Sequence, residues 1–247
     1  MQKELRIDIF SIKELEAFSA RDKRWKDVKA FLDPTRLAKF SKAKAGTSNR
    51  YFQAGAGLLL SLSALTEKEK QKQAQKKEKV SAEDVKVTVK TWSYDKLIEA
   101  LCNLSATTDF DVQTLSYREG EKGKPYWEDS SLPYFSLSHS GDYVVLVSAP
   151  SEVGVDLQQH RDISKTAVSG RHFAKTEADY LASKDSEPTD FFILWTRKEA
   201  LGKCEGVGLI PMLERDFLDL DAEEYKPYYW MEIDGLTGYS MAICMKL

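Results

Sequence analysis

The chain has 247 residues, of which 42% are hydrophobic and 30% are charged. This composition is ordinary for one large folded domain or two small ones. The formal net charge is −3, so the overall charge does not indicate nucleic-acid binding. No apolar run approaches the roughly 18 residues of a membrane span, and the N-terminal MQKELRIDIF lacks the apolar core and cleavage site of a signal peptide.

The cysteines also bear on the compartment. There are three, Cys102, Cys204 and Cys244, an odd number without metal-site spacing. They predict neither a disulfide framework nor a zinc site. We therefore expect a cytoplasmic protein. We also expect the protein to be a monomer.

The first half begins with the alternating pattern LRIDIF, which predicts a strand, and residues 13–65 follow as largely helical. The segment 66–79 contains six lysines and three glutamates. Its composition fits a solvated loop or the exposed turns of a helix, and it also leaves open an attraction to an acidic partner. Residues 85–92 alternate as a strand does.

A short helix, SYDKLIEALCNL, follows with Ser93 as a plausible N-cap. FDVQTLSY (110–117) resembles another strand, and the turn-rich GEKGKPYW comes next. The pattern of the second half predicts strands at 143–149 and 152–157 and helices near 163–183 and 189–203. It predicts two closing strands near 227–233 and 238–245. The order indicates an α+β fold of two successive halves, 1–118 and 119–247.

The strand EVGVDLQ places an acid where a ligand is plausible. Side chains alternate between the faces of a strand, so Val153, Val155 and Leu157 share one face and Asp156 and Gln158 share the other. From this strand alone, a structural role for the acid is favoured over a ligand role.

The helix DFFILWTRKEALGK, with Thr189 as a reasonable N-cap, adds a second acid. Trp195, Glu199 and Lys203 are spaced i, i+4, i+8 and lie on one face. Glu199 and Lys203 could form a surface ion pair of a few tenths of a kcal/mol. The same geometry suits an acid facing Mg²⁺ and a lysine facing phosphate.

Upstream, PYFSLSHSGDYVVLV predicts two strands joined by a turn next to His139. This histidine is compatible with a turn residue bonded to backbone or with a functional contact. A Ser-His pair suggests nucleophilic catalysis, but no Asp at a telling spacing accompanies it, and a hydrolase is disfavoured. Lys124 lies in a glycine-rich turn of the kind that can hold phosphate.

Taken together, five segments resemble the motif series of 4′-phosphopantetheinyl transferases of the larger, single-chain (surfactin-synthetase-activator) class. They are GKP (123–125), FSLSHS (135–140), VGVDLQ (153–158), RHFAKTEADYL (171–181) and WTRKEALGK (195–203). The resemblance is strong over about 118–215. It is loose before that, through DPTRLAKF (33–40) and the arginine of SNRYF (48–52).

The resemblance implies two similar halves related by a pseudo-twofold axis, with coenzyme A in the cleft between them. It implies Asp156, Glu199 and Lys203 as catalytic residues. It implies Mg²⁺ held by Asp156, Gln158 and Glu199. The residues implied to bind coenzyme A are Lys124, Ser138, His139, Lys203, Gly123 and Pro125, with Arg36, Lys39 and Arg50 near the 3′-phosphate.

The implied reaction is attack of a serine hydroxyl of an apo acyl or peptidyl carrier protein on the β-phosphorus of coenzyme A, with 3′,5′-ADP leaving. Glu199 is the candidate base and Lys203 the neutralising charge. Lys198 either contacts phosphate or supports the helix through an ion pair. The family's Asp-x-Glu is Asp156-Leu157-Gln158 here, so we expect Gln158 to assist the metal site without dominating it.

Other interpretations explain less. A different Mg²⁺-dependent phosphotransferase would be expected to show a Walker-type or Gly-x-Gly-x-x-Gly run, and the sequence has neither. A non-catalytic binding module would be expected to lack Asp156, Glu199 or Lys203, and all three are present. A generic α+β domain explains each motif singly but not their joint order.

Overall fold

The computed structural model describes residues 4–19, 21–74, 85–162, 165–183, 187 and 189–247. Helices and sheets are mixed along the chain, which agrees with the predicted α+β class. In the described part of the chain, no helix is long and apolar enough to cross a membrane. The elements in chain order are β1 (Glu4–Ser11), α1 (Lys13–Glu16), α2 (Arg24–Ala30), α3 (Pro34–Lys42), α4 (Ser48–Ala74), β2 (Lys86–Trp92), α5 (Tyr94–Thr107), β3 (Tyr117–Glu119), β4 (Pro125–Trp127), β5 (Tyr134–Ser140), β6 (Tyr143–Ala149), β7 (Val153–Gln159), α6 (Lys165–His172), α7 (Lys175–Ala182), α8 (Asp190–Glu205), β8 (Tyr228–Glu232) and β9 (Tyr239–Lys246).

The chain forms two compact units. The first contains Met1–Arg118 and Pro125–Pro150, and the second contains Glu119–Lys124 and Ser151–Leu247. The predicted division near residue 118 differs from this in one segment. β6 pairs along its length with β1, and β5 pairs with β6, so both strands belong to the first unit rather than to the second half.

The first unit is built on a four-stranded sheet in the order β2-β1-β6-β5. β1 is parallel to β2 and antiparallel to β6, and the helices α1 to α4 supply the long crossover that parallel neighbours require. Helix α4 is buried on every side around Leu58, Leu59 and Leu60. It lies close to the sheet at Gly55, where an added Cβ would lie 2.9 Å from Val144 of β6.

The second unit has an antiparallel sheet in the order β7-β9-β8, and α8 packs on it. Phe191, Phe192, Leu194 and Leu201 of α8 are buried and belong to the apolar core of this unit. The aromatic density of DFFILW thus reflects burial of α8, as its composition predicts.

Most of the predicted elements are confirmed, including β1, the helices of 13–65, β2, α5 and the strands of the second half. The strand predicted at 110–117 is wrong. Val112–Thr114 forms a 3₁₀ turn, and the side chain of Asp111 accepts a hydrogen bond from the backbone N–H of Gln113 at 2.9 Å. An Asp that bonds the backbone two residues on favours a turn over a strand ladder.

The two predicted N-caps occupy the expected positions without capping through their side chains. At α5, the backbone N–H after Ser93, that of Tyr94, is satisfied by Glu14 Oε2 at 2.8 Å. Thr189 takes a helical backbone conformation, φ −85° and ψ −21°, and this differs from the extended geometry of a capping residue.

The lysine-rich segment 66–79 continues α4 as far as Ala74, and its remainder lies outside the described residues. Lys68 lies 2.7 Å from Asp129, Lys70 lies 2.5 Å from Glu4, and Lys72 donates to the carbonyl of Thr107 at 2.7 Å. These turns of α4 are therefore attached to their own unit by the lysines that could have attracted a partner.

Candidate active site

The catalytic candidates of the second unit meet where α8 crosses β7. Gly154 makes this crossing possible, because a Cβ on it would lie 2.0 Å from the carbonyl oxygen of Ala200 and 2.4 Å from the backbone nitrogen of Cys204. Asp156 is two residues further along the same strand and therefore faces α8 as well. The face of β7 that bears Asp156 and Gln158, which the sequence indicated as a ligand face, is therefore the face that α8 covers.

At this crossing Lys203 pairs with Asp156. Its Nζ lies 2.6 Å from Oδ1 of Asp156 and 3.1 Å from the carbonyl oxygen of Val155. The side-chain amide of Gln158 donates to Oδ2 of Asp156 at 3.1 Å. Asp156 is only 2% exposed, and a carboxylate at that depth requires such partners. We call Asp156, Gln158, Glu199 and Lys203 the β7–α8 site.

Glu199 has a different environment from Asp156. It is half-buried, and within the described part of the chain it forms no hydrogen bond or ion pair of the kind that Asp156 makes with Lys203. Burial raises the pKa of its carboxyl group, the charge of Lys203 opposes that rise, and the charge of Asp156 adds to it. A half-buried acid with a raised pKa is a suitable proton acceptor or cation ligand.

The donor groups of the β7–α8 site are compatible with a Mg²⁺ ion whose coordination is completed by a substrate phosphate. Within the described residues there is no group of three or more His, Cys, Asp or Glu side chains around one point. Asp156 and Glu199 supply two carboxylates, and Gln158 supplies an amide. One or two carboxylates completed by water and substrate phosphate is a common way to bind Mg²⁺, so the residues fit this ion in the presence of a phosphate-bearing substrate.

Lys198 lies apart from this site. It is completely buried, and its Nζ lies 2.6 Å from Oε2 of Glu177 on α7, the glutamate of the RHFAKTEADYL motif. It also donates to the carbonyls of Leu213 and Arg215 at 3.1 and 2.5 Å. Burial lowers the pKa of Lys198 and raises that of Glu177, and each charge opposes the shift of the other. Of the two predicted roles for Lys198, the structure shows the ion pair.

Lys124 holds the end of α8. Its Nζ donates to the carbonyl of Cys204 at 2.7 Å and pairs with the carboxylate of Glu152. Gly123 precedes it with φ +81°, the left-handed conformation that favours glycine, and Pro125 begins β4. A lysine at this position interacts favourably with the negative end of the helix dipole, and it lies in the second unit with the β7–α8 site.

The nucleotide-binding candidates of the first unit are arranged around Phe52 of α4. The ring of His139 stacks on it with centroids 3.9 Å apart and an angle of 18° between the planes, and the guanidinium carbon of Arg36 lies 5.4 Å from its centroid. We call Arg36, Phe52 and His139 the His139 cluster. Ser138 is buried beside His139 on β5. The sequence indicated two of the three residues, and nothing in the pattern distinguished Phe52 from a core aromatic.

The two remaining basic candidates lie on or beside α3. Lys39 lies on α3 itself and is exposed. Arg50, at the start of α4, donates to the carbonyls of Phe40 and Ala43 at 3.2 and 3.1 Å, and its guanidinium lies 3.9 Å from the centroid of the Phe40 ring. These contacts tie the end of α3 to α4, so Arg50 has a clear structural role.

Comparison with known proteins identifies the family. The model of the 4′-phosphopantetheinyl transferase superfamily matches residues 152–244, which include the whole β7–α8 site. The chain is 31% identical over 152 residues to the 4′-phosphopantetheinyl transferase Sfp of Bacillus subtilis (strain 168), an alignment that covers 57% of this chain and 67% of that protein. The chain belongs to the 4′-phosphopantetheinyl transferase superfamily.

Other relatives are similar over a smaller share of their length. The chain is 32% identical to the 4′-phosphopantetheinyl transferase ffp of Bacillus subtilis, over half of this chain and 60% of that protein. It is 33% identical to the putative 4′-phosphopantetheinyl transferase slr0495 of Synechocystis, over 55% of this chain and 56% of that protein. The chain thus spans between half and two thirds of the length of such phosphopantetheinyl transferases, and the predicted family is confirmed.

Proposed function

We propose that this phosphopantetheinyl transferase moves the 4′-phosphopantetheine arm of coenzyme A to a serine hydroxyl of an apo acyl or peptidyl carrier protein and releases 3′,5′-ADP, in the manner of a holo-[acyl-carrier-protein] synthase. The observation that supports this most directly is the β7–α8 site. One helix presents Glu199 and Lys203, and one strand presents Asp156, all within a single crossing of the second unit.

In the proposed reaction, the serine oxygen forms a bond to the β-phosphorus of coenzyme A, and the bond from that phosphorus to the bridging oxygen of the pyrophosphate breaks. The electron pair of the broken bond leaves with 3′,5′-ADP. Glu199 accepts the serine proton, since it is half-buried and has no competing partner among the described residues. A bound Mg²⁺ would neutralise charge on the pyrophosphate.

Lys203 has two roles in this proposal. Without substrate, its ammonium stabilises the buried carboxylate of Asp156 at 2.6 Å. With coenzyme A bound, the same ammonium would turn the N–H group that contacts the carbonyl of Val155 toward a pyrophosphate oxygen, because an ammonium has three donors that rotate freely. Asp156 and Glu199 would then hold Mg²⁺, with Gln158 supporting Asp156 through its amide.

The coenzyme A contacts are proposals of the same kind. His139 and Arg36 would meet the 3′-phosphate, and Lys39 and Arg50 would add positive charge near it. Lys124 would contact the nucleotide end, and Ser138, Gly123 and Pro125 would line the binding site by backbone and shape. The pseudo-twofold relation of the halves, the cytoplasmic location and the monomeric state stay predictions.

The release of 3′,5′-ADP tests the proposal. The protein is incubated with coenzyme A, Mg²⁺ and an apo carrier protein, and the nucleotide products are separated by chromatography. We expect 3′,5′-ADP to appear in proportion to the carrier supplied, and to disappear with EDTA or with a carrier whose acceptor serine is replaced by alanine. Product formed equally from the alanine carrier would show hydrolysis of coenzyme A and would refute the transfer.

A further inference from the structure

Glu152 directly precedes β7, and the proposed chemistry does not use it, yet three segments of the second unit meet at this residue. Its carbonyl oxygen accepts a hydrogen bond from the backbone N–H of Lys246 at 2.8 Å and another from the thiol of Cys204 at 3.3 Å. Its carboxylate pairs with the ammonium of Lys124. Glu152 therefore joins the end of β9, the end of α8 and the glycine-rich turn that bears Lys124.

The carboxylate of Glu152 determines where the ammonium of Lys124 lies. The turn before Lys124 is closed by its own backbone bonds, from the N–H of Gly120 to the carbonyl of Lys124 at 2.8 Å and from the N–H of Gly123 to the carbonyl of Gly120 at 2.9 Å. These bonds fix the backbone but leave a flexible four-carbon side chain. That side chain is only 7% exposed, and an ammonium at this depth requires a counter-charge. Glu152 supplies the counter-charge.

The same ammonium stabilises the last turn of α8. The last four carbonyls of a helix have no partner within the helix. In α8, the N–H groups of Val207 and Gly208 bond to the carbonyl of Gly202 at 3.1 and 3.2 Å, and the carbonyl of Cys204 accepts a hydrogen bond from Lys124 at 2.7 Å. A positive charge at this position also interacts favourably with the negative end of the helix dipole.

Lys203 belongs to this last turn. It directly precedes Cys204, and its Nζ lies 2.6 Å from Oδ1 of Asp156. Asp156 lies on β7, which begins directly after Glu152. The ion pair between Glu152 and Lys124 therefore connects the start of β7 with the end of α8, and the separation of these two backbone segments decides how Lys203 reaches Asp156.

We propose that Glu152 is a positioning residue for Lys203: it holds the ammonium of Lys124 against the last turn of α8 and thereby sets the affinity of the enzyme for coenzyme A. This inference rests on the proposed function and deepens it, because the lysine that would meet the pyrophosphate is placed by an acid outside the β7–α8 site. Glu152 acts through Lys124 and takes no part in the chemical step.

Binding of coenzyme A by calorimetry, in the presence of Mg²⁺, tests the inference without requiring catalysis. In Glu152→Gln, which keeps the shape but removes the charge, we expect the Kd of coenzyme A to rise about three- to tenfold, because charge-assisted hydrogen bonds are stronger than neutral ones. Glu152→Asp keeps the charge and should restore most of the affinity. Glu232→Gln is the matched control. The Glu232 side chain is 37% exposed, against 33% for Glu152, and it pairs with Arg197 in the middle of α8, so its replacement should leave the Kd unchanged.

A double-variant cycle separates positioning of Lys203 from a direct effect on the nucleotide. In a Lys203→Ala background, Glu152→Gln should raise the Kd of coenzyme A by less than about twofold, because its effect passes through Lys203. The same rise in Kd with and without Lys203 would overturn the inference, as would equal effects of Glu152→Gln and Glu232→Gln.

Hydrogen exchange of the free enzyme reports on the last turn of α8 without any ligand. The backbone N–H groups of Val207 and Gly208 should exchange faster in Glu152→Gln, and also in Lys124→Met, which removes the other member of the pair and keeps the test decisive if Glu152→Gln does not fold. Glu232→Gln should leave this exchange unchanged. Wild-type exchange at both positions in the folded variants would overturn the inference.

The outcome for the proposed function is separate from the outcome for Glu152. If the Kd and the hydrogen exchange change as expected while the wild-type enzyme transfers nothing to any carrier, the proposed function is refuted and the role of Glu152 is supported.

Discussion

Lys203 pairs with Asp156 on the neighbouring strand, at 2.6 Å, although Glu199 lies one turn before it on the same face of α8. The difference in burial between Asp156 and Glu199 explains why Lys203 pairs with Asp156. Asp156 is 2% exposed and requires a cation or hydrogen bonds, whereas Glu199 is half-buried and reaches water. The consequence is that Glu199 keeps a carboxylate available for a proton or a cation.

Replacing Glu199 should separate activity from stability. In Glu199→Gln, transfer should fall about 100-fold or more, since a positioned base is removed. The raised pKa means that the folded protein holds this proton more tightly than the unfolded chain does, so wild-type stability falls as pH rises from 4.5 through the folded pKa. The Glu199→Gln variant has no carboxyl group at this position, so it does not lose this contribution to stability as the pH rises.

Chemical denaturation at pH 4 and at pH 7 measures this effect. The unfolding free energy of Glu199→Gln relative to the wild type should rise between these pH values. A variant that loses stability at pH 7 as severely as it loses transfer would identify Glu199 as a structural residue.

Gly154 should tolerate no side chain. An added methyl group would lie 2.0 Å from the carbonyl oxygen of Ala200, so α8 must move away from β7 and Lys203 must move with it. We expect Gly154→Ala to destabilise the protein by about 1–3 kcal/mol and to reduce transfer more than the lost folded fraction explains. Gly170→Ala is the control, because an added Cβ there meets nothing within 4 Å. Replacing this exposed helical glycine with alanine should stabilise the protein by about 0.5–1 kcal/mol. Equal behaviour of the two variants in thermal unfolding would contradict the packing argument.

The buried pair of Lys198 and Glu177 should matter for folding rather than for binding of phosphate. Lys198→Met leaves Glu177 buried without its cation and should cost about 3–5 kcal/mol, whereas the double variant Lys198→Met/Glu177→Leu should recover much of that cost. Lys175→Met, which breaks the exposed pair with Asp179, should change the unfolding free energy by less than about 0.5 kcal/mol. If the double variant folded well but bound coenzyme A poorly, Lys198 would be a phosphate ligand after all.

The lysine-rich end of α4 should be attached through Asp129 at all but low pH. Hydrogen bonds from Lys68 and Ser131 lower the pKa of Asp129 to about 2. A lowered carboxyl pKa stabilises the fold above the ordinary value of 3.8, and this contribution is lost as pH falls toward 2. Because the pair is exposed, Asp129→Asn should cost no more than about 1 kcal/mol at pH 7 and less than that at pH 2. An effect independent of pH would point to packing rather than charge.

The sequence indicated which residues of the β7–α8 site share a face, because this evidence is local. Alternation placed Asp156 and Gln158 on one strand face, and helical spacing placed Glu199 and Lys203 on one helix face. One sequence does not show which side chain each of these groups contacts in the folded protein. The pairing of Lys203 with Asp156, of Lys198 with Glu177 and of His139 with Phe52 depends on contacts between elements far apart in the chain.

The wrong strand at 110–117 has a similar cause. The run alternates like a strand, but one side-chain hydrogen bond from Asp111 closes a turn, and such a bond competes directly with ladder formation. The extent of the first unit was also missed, because pairing of β6 with β1 joins segments more than a hundred residues apart. The hydrophobic pattern of either strand does not predict which distant strand it pairs with or in which register.

The mass of an apo carrier protein, measured after incubation with this enzyme, coenzyme A and Mg²⁺, tests the central claim most directly. The account predicts a gain of one phosphopantetheine with the wild-type enzyme and almost none with Glu199→Gln over the same time. Apo carriers from fatty-acid, polyketide and peptide synthesis that all remain unmodified by a folded wild-type enzyme would contradict it.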